Sequence, residues 1–450
     1  MNPNRDSHRD SDRDSHPHLH RRLHPHLHND ARSIFQQAIL SSSIPAAFDR
    51  RPFDPVAQYE KVYAVAVGKA ALPMLDALRA RLPHALAGGL CCAPTLPAEP
   101  IDERIVERIR GVDYYVGGHP LPNQDSFESA RAALQLLGGL GKHDMVFFLI
   151  SGGGSAMFEL PLDPRISLAE TRTLYQALVG SGATIAEINT VRKHFSAVKG
   201  GRLAAAAGQA ARCSLLVSDV APRFLDALAS GPTLPDGSTV AECREVLERY
   251  HLRQHFPPAI QAFFDDPALP ETPALPGAPV ETLLSSDDLL DAARTRAAAL
   301  DYEVVIDNAC DDWDYADAAR YLLDRFHKLR REHARVCLLS GGEVTVRLGR
   351  EHGEGGRNQQ FALACAIELS GLDIPAVVLS AGSDGIDGNS AAAGAIADTT
   401  TVERSKGLGM DASTARERFD AYPLFTALGD TLVTGPTHNN LRDLRILLSA

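Results

Sequence analysis

Short apolar runs rich in β-branched residues alternate along this chain with Ala- and Leu-rich stretches of helical length, and that order leaves few folds open. The runs at 62–67, 145–150, 214–217, 303–306, 336–339 and 376–379 read as strands. The stretches at 70–82, 126–137, 168–179, 287–300, 315–331 and 358–369 read as helices. Strands apolar on both faces with a helix between successive ones call for βαβ crossovers, which build mostly parallel sheets covered on both sides. The expected class is α/β. Seven prolines between 257 and 279 interrupt the pattern, since proline extends neither element comfortably, and they mark a linker. The chain is therefore expected to form two domains, 31–270 and 271–450. Residues 1–30, crowded with His, Arg, Asp and Ser, hold too little apolar surface to fold and are expected to form a His-rich tail.

Composition removes several functions. Asp and Glu number 57 against 45 Lys and Arg, a formal charge of −12, so nothing draws the whole chain to nucleic acid or anionic lipid. The longest apolar stretches are of strand length, far short of the ~20 residues a membrane span needs, and the first thirty residues contain no apolar leader. No membrane and no nucleic-acid partner is expected, and a cytoplasmic location is. Seven cysteines with no C-x-x-C pair suit reduced, buried thiols.

In open parallel sheets ligands bind beyond the carboxyl ends of the strands, so the residues after each strand carry the functional information. After 62–67 comes Gly68-Lys69-Ala70-Ala71, a lysine at a helix start, where free N–H groups and the dipole favour anions. It is not a P-loop, because Tyr63 and Ala70 stand where that motif needs glycine and a hydroxyl. After 145–150 comes Ser151-Gly152-Gly153-Gly154-Ser155-Ala156, whose glycines let backbone N–H groups approach an anion. Ser155 lacks the last glycine of a G-x-S-x-G nucleophile turn. Residues 189–202 form a basic patch in an acidic chain, with Asn189, Arg192 and Lys193 as candidate anion ligands. After 214–217 stands Asp219, placed to hold Mg²⁺, to accept a hydroxyl proton, or to cap a helix. Gly353-Glu354-Gly355-Gly356-Arg357-Asn358 then sets an arginine fork at a helix start, and Asp384 and Asp387 follow a strand closely enough to invite a divalent ion. Anion cradles, cations and carboxylates at strand ends are together the parts of a phosphoryl-transfer site, which works by positioning and charge neutralisation.

These segments, in this order, resemble the type II glycerate kinases, whose C-terminal part is called the MOFRL domain. The resemblance spans most of residues 31–448. It rests on Val67-Gly68-Lys69-Ala70-Ala71, Gly118-His119-Pro120-Leu121-Pro122, the 151–156 glycine loop, residues 189–202, Ser218-Asp219-Val220 with Ala229-Ser230-Gly231-Pro232-Thr233, and the segments 353–359, 383–388 and 434–437. It implies a Rossmann-like N-terminal domain and a MOFRL-type C-terminal domain with the active site in a cleft between them. It further implies ATP- and Mg²⁺-dependent phosphorylation of D-glycerate, commonly at the 2-hydroxyl to give 2-phosphoglycerate, by a monomer or homodimer.

The family's functional residues fall on Lys69, Asp219 and Arg357. Gly152, Gly153, Gly154, Ser155, Asn189, Arg192, Lys193, Gly355, Gly356 and Asn358 are expected to hold phosphate or substrate, and Asp219 and Asp384 the Mg²⁺. Two departures bear on substrate identity: Ala221-Pro222-Arg223 follows Asp219 where a Gly-Asp pair is usual, and His438-Asn439-Asn440 follows Thr437 where Gly-Thr-Asn is usual. One rival is an NAD(P)H-dependent hydroxypyruvate reductase, which needs a G-x-G-x-x-G turn after a strand; Gly353 to Gly355 lacks its third glycine. The other is a hydroxy-acid binding protein without catalysis.

Overall fold

The computed structural model describes residues 24–450 other than 52–53, 83, 98–110, 221, 276, 278, 350 and 438. Two compact units are present, both α/β. The first comprises Gln37–Ala292 with Thr437–Arg442; the second comprises the described residues up to Gln36 with Ala293–Pro436 and Asp443–Ala450.

In the first unit six strands pair parallel throughout: β1 (Lys61–Val67), β2 (Gly88–Ala93), β3 (Val112–Val116), β4 (Asp144–Ser151), β5 (Ala211–Val217) and β6 (Val280–Leu284). Their order, β3-β2-β1-β4-β5-β6, is that of a doubly wound dinucleotide-binding fold. Val65, Val67, Val146, Phe148 and Ile150 pack from β1 and β4 against Ala130, Ala133 and Leu137 of the helix Gln124–Gly138. That helix starts at a reciprocal cap: the Asn123 side chain accepts from the Ser126 N–H, and the Ser126 side chain accepts from the Asn123 N–H. Each large apolar side chain so buried contributes about 1.5–3 kcal/mol.

The strand order reverses between β1 and β4. In such sheets the reversal opens a crevice at the strands' carboxyl ends, because the loops after the two strands turn to opposite faces. The proline-rich stretch holds regular structure. Pro258–Asp265 is a helix with proline in its first turn, where a missing N–H costs nothing, and β6 lies beyond it in the first sheet. The chain enters the second unit only after Ala292.

The second sheet runs β11-β10-β9-β12-β8-β7, with β7 (Glu303–Ile306), β8 (Val336–Gly342), β9 (Val377–Gly382), β10 (Gly394–Asp398), β11 (Thr431–Leu432) and β12 (Asp443–Ser449). β7, β8, β9 and β11 point one way, in keeping with a mostly parallel sheet. Adjacent pairing differs, because β12 inserts antiparallel between β8 and β9 and β10 runs antiparallel between β9 and β11. Arg445, fully buried in β12, donates to the Gly342 carbonyl at 2.9 Å and lies 5.4 Å from the centre of the Phe361 ring.

Of the expected tail, residues 1–23 lie outside the described residues, but the last part is helical: Pro25–Ser41 form a helix. His28 is buried and its Nε2 lies 2.7 Å from Asp398 Oδ2. Burial alone would raise the Asp398 carboxyl; hydrogen bonds from His28 and Thr400 and the charge of Arg404 outweigh it and hold the group well below the usual carboxylate range. All seven cysteines are unpaired thiols. No helix among the described residues is long and apolar enough to cross a membrane.

Candidate active site

The loops after β1 and β4, on either side of the strand-order reversal, interlock. Gly68, at φ +111°, lies against Ser151, where a Cβ would stand 2.5 Å from both the carbonyl and the hydroxyl oxygen. The Lys69 N–H donates to the Gly152 carbonyl at 2.9 Å, and the Ala70 N–H donates to Ser151 Oγ at 2.9 Å. Lys69 is thereby fixed by its backbone while its side chain is exposed and passes Gly153, where a Cβ would lie 3.1 Å from Lys69 Cγ.

Asp219, after β5, presses its carboxylate on Gly152 so closely that a Cβ there would stand 1.8 Å from Oδ2. Burial pushes the Asp219 carboxyl up from its ordinary value, while the charges of Lys69 and Arg442 pull it down. His119, after β3, is lowered by burial and then by Lys69. One lysine, one aspartate and three glycines thus meet at the carboxyl ends of β1, β4 and β5.

The basic patch divides. The helix Ile185–Phe195 begins at a Thr184–Glu187 capping box. Lys193 Nζ, from its last turn, lies 3.1 Å from both Asp226 and Asp236, so its charge is paired within the protein. Asn189 accepts from Ser230 Oγ at 2.9 Å, and Ser230 Oγ lies 2.9 Å from Ser155 Oγ, which ties the glycine loop to this helix. Arg192 is different: it stacks over the Tyr175 ring at 4.6 Å, is 8% exposed, and its Nε has no hydrogen-bond partner among the described residues.

Beneath it lies a buried cluster. Tyr175 reaches the Ser155 carbonyl at 2.7 Å and the Glu159 carboxylate, while Lys199 pairs with Glu159 at 2.7 Å. Burial, the largest influence on each, raises the Tyr175 phenol and lowers the Lys199 amine.

In the second unit Arg357 opens the helix Arg357–Leu369. Its guanidinium grips Asp443 with two bonds, Nε to Oδ2 at 2.6 Å and Nη2 to Oδ1 at 3.0 Å, and reaches Glu343 through Nη1 at 2.9 Å and Nη2 at 2.8 Å. Burial opposes the charge and the two carboxylates more than offset it, holding the guanidinium protonated. Three of its five N–H groups make hydrogen bonds, and Nη2 also lies 2.8 Å from Glu343 Oε1 as an ion pair, so most of the fork is turned to carboxylates of the protein.

Asn358 and Asp387 also serve the fold. Asp387 accepts from the Asn358 and Gln359 N–H groups at 3.0 and 2.8 Å, capping the helix, and burial pushes its carboxyl up to about 6. Asn358 Oδ1 accepts from Ser380 Oγ at 2.6 Å. Gly355 and Gly356, with Arg357, Asp384 and Asp387, line a cavity of about 690 Å³. Asp384 Oδ1 accepts from the Ile386 N–H at 3.1 Å. Among the described residues no group of three or more His, Cys, Asp and Glu side chains is arranged to hold a metal ion.

Sequence reasoning missed Arg442, Glu159, Tyr175 and Lys199. Arg442 is 9% exposed and takes a left-handed φ of 71°. An arginine two residues past the Gly- and Asn-rich segment 435–440 was the available signal. The buried cluster had none, since its members are distant in sequence. Both altered positions, Ala221 and His438, lie outside the described residues.

Comparison with known proteins agrees with this layout. Residues 28–265 match the model of a domain of unknown function (DUF4147), and residues 336–443 match the MOFRL family. The D-glycerate 2-kinase of Thermotoga maritima is 36% identical over 417 residues, covering 91% of this chain and 96% of that protein. The human glycerate kinase is 32% identical, over 86% of this chain and 84% of its own. The crystal structure of glycerate kinase from Thermotoga maritima superposes with a TM-score of 0.85 at 34% identity, covering 95% of this chain and all of the other. With identities of this size over nearly whole lengths, the chain belongs to the glycerate kinase family with a MOFRL domain.

Proposed function

We propose that this protein transfers the terminal phosphoryl group of ATP to the 2-hydroxyl of D-glycerate, giving ADP and 2-phosphoglycerate. The observation that carries the reading is the meeting of Lys69, the glycine loop and Asp219 at the point where the strand order reverses. Lys69 neutralises negative charge on the group in transfer, and N–H groups of the 152–155 loop hold anionic oxygens. Asp219 orients the substrate hydroxyl and accepts its proton; its elevated pKa improves the match to a hydroxyl donor near neutral pH. The unpartnered Nε of Arg192 supports a role for that residue in holding the substrate carboxylate.

Mg²⁺ commonly binds through one or two carboxylates plus substrate phosphates, so a lone Asp219 fits such an ion without a protein cage. The ion supplies further neutralisation of phosphate charge when bound. Arg357 acts through Asp443 and Glu343, keeping their segments in place.

The test is direct. Purified protein given D-glycerate and MgATP should release ADP in a coupled assay, and ³¹P NMR should identify the product as 2-phosphoglycerate. Absence of turnover with D-glycerate, L-glycerate and related hydroxy acids would end the proposal. Against the reductase reading, residues 343–356 separate β8 from the helix Arg357–Leu369, whereas a dinucleotide turn joins strand to helix directly.

A further inference from the structure

Tyr175 stands in the first unit where a phenylalanine would fit. It lies in the helix Leu168–Gly180, fully buried, and packs among Leu174, Leu178, Val191 and Phe195. A plain benzene ring would fill that volume without taking a hydroxyl out of water, so the hydroxyl calls for a reason of its own. The charges beside it do too, since a buried ion pair such as Glu159 with Lys199 often adds nothing to stability over apolar residues of the same volume. We infer that Tyr175 is a positioning residue, which sets the glycine loop with its hydroxyl and the Arg192 guanidinium with its ring; the inference rests on the kinase reading and deepens it.

The hydroxyl acts on Ser155. The short helix Gly154–Met157 ends before the Ser155 carbonyl can find its usual helical donor. The N–H four residues on, that of Glu159, turns away to the Ser126 carbonyl at 3.3 Å, and the Tyr175 hydroxyl donates to Ser155 instead, at 2.7 Å. On its other side Ser155 is tied through Oγ to Ser230 Oγ at 2.9 Å. Two links thus fix the last residue of the loop whose N–H groups are assigned to anionic oxygens. The tyrosine is held in turn: its hydroxyl also meets Glu159 Oε2, which Lys199 Nζ holds at 2.7 Å, and Lys199 Nζ donates to the Phe158 carbonyl at 3.0 Å. Burial first, and the Glu159 charge second, raise the phenol, so it keeps its proton to donate.

The ring acts on Arg192. The guanidinium carbon lies 4.6 Å from the ring centre, inside the ~6 Å range of a cation–π contact. The Glu159 oxygens are taken by Tyr175, Lys199 and the Leu160 N–H, so the Arg192 charge rests on a π face, with its Nε unpartnered among the described residues. A planar guanidinium laid on a planar ring has its orientation set, and its edge N–H groups point where the ring directs them. Arg192 and Lys199 against Glu159 leave the cluster with an excess of positive charge, which a substrate carboxylate offsets.

The experiment uses the full chain. Tyr175→Phe removes the hydroxyl and keeps the ring, so kcat in the ADP-release assay should fall about tenfold or more while the KM for D-glycerate stays within about twofold. Tyr175→Leu removes both, so it should lower kcat likewise and raise that KM about tenfold as well. A tyrosine that only fills the core would shift the thermal midpoint in both variants and move neither constant. Full kcat in Tyr175→Phe overturns the inference, as does an unchanged KM in folded Tyr175→Leu. If Tyr175→Leu does not fold, Arg192→Lys takes its place, since an ammonium cannot lie flat on the ring: a KM raised about tenfold supports the role of the ring, and an unchanged KM overturns it. Hydrogen exchange gives a readout that needs no turnover. The amides of residues 152–156 should exchange about tenfold faster in Tyr175→Phe than in wild type, and equal rates overturn the dependence of the loop on the hydroxyl. If wild type phosphorylates no hydroxy acid the kinase reading fails by itself, and the exchange comparison still decides whether Tyr175 positions the loop.

Discussion

Replacing Gly152 with alanine tests the site at its tightest point. The added Cβ would stand 1.8 Å from Asp219 Oδ2, 2.5 Å from its Cγ and 2.9 Å from Oδ1. Ordinary contact is about 3.5 Å, so the carboxylate must retreat by roughly 1.7 Å. The φ of Gly152 lies outside the left-handed region, and the group that must yield is the end of a side chain, so the backbone can accept alanine. A misplacement of about 1 Å can cost about 100-fold in rate, near 2.7 kcal/mol of transition-state stabilisation. Gly152→Ala should therefore lower kcat by about two orders of magnitude in the ADP-release assay. Its thermal midpoint should stay within about 3 °C of wild type, the shift that roughly 1 kcal/mol produces in units of this size. A folded variant within threefold of wild-type kcat would refute the placement of Asp219 at the reaction centre. A large loss of midpoint would refute the claim that only the carboxylate moves.

Lys69→Ala should lower kcat by several orders of magnitude with circular dichroism unchanged, because the side chain is exposed and only its backbone is bonded to the glycine loop; an active variant would remove Lys69 from the chemistry. The folded-state pKa of Asp219 is raised, so the stability linked to it is present below the unfolded value and is lost as pH rises through the folded one. Asp219→Asn should consequently raise the thermal midpoint over wild type at pH 8, show little gain at pH 3, and abolish turnover; no gain at pH 8 would argue against burial as the dominant influence. Arg357→Ala leaves the buried Asp443 without its two-bond partner and should cost about 3–5 kcal/mol in denaturant unfolding of the second unit. An unchanged unfolding midpoint would show that Arg357 is not needed to hold that segment.

Much of the first unit can be read from residue order, because its strands pair parallel in the apolar, helix-separated pattern that βαβ units impose. The run 145–150 and the helix 126–137 are legible since burial on one or both faces leaves periodic apolar residues. β2 is not: its sequence Gly-Gly-Leu-Cys-Cys-Ala lacks β-branched residues, and a Cβ at Gly89 would lie 2.4 Å from the Ala64 carbonyl, so close strand approach and not side-chain preference sets its composition. β12 escapes because Arg445 in its middle signals an exposed position, whereas the guanidinium is buried against a carbonyl and an aromatic face. At the site, Lys69, Asp219 and the glycine loop are visible because strand ends concentrate chemistry. The ion pair of Lys193 is not legible, since Asp236 is far along the chain, and the same distance conceals the Glu159–Lys199 pair.

The position of β12 carries a consequence for synthesis. β8 and β9 have no hydrogen bonds to each other except through β12, so a ribosome that has delivered both has delivered two half-sheets with their inner edges open. Those edges stay available for mispairing until residues 443–449 emerge and close the gap. A translation pause after Asp398 should therefore increase chaperone demand far more than one placed between β1 and β4.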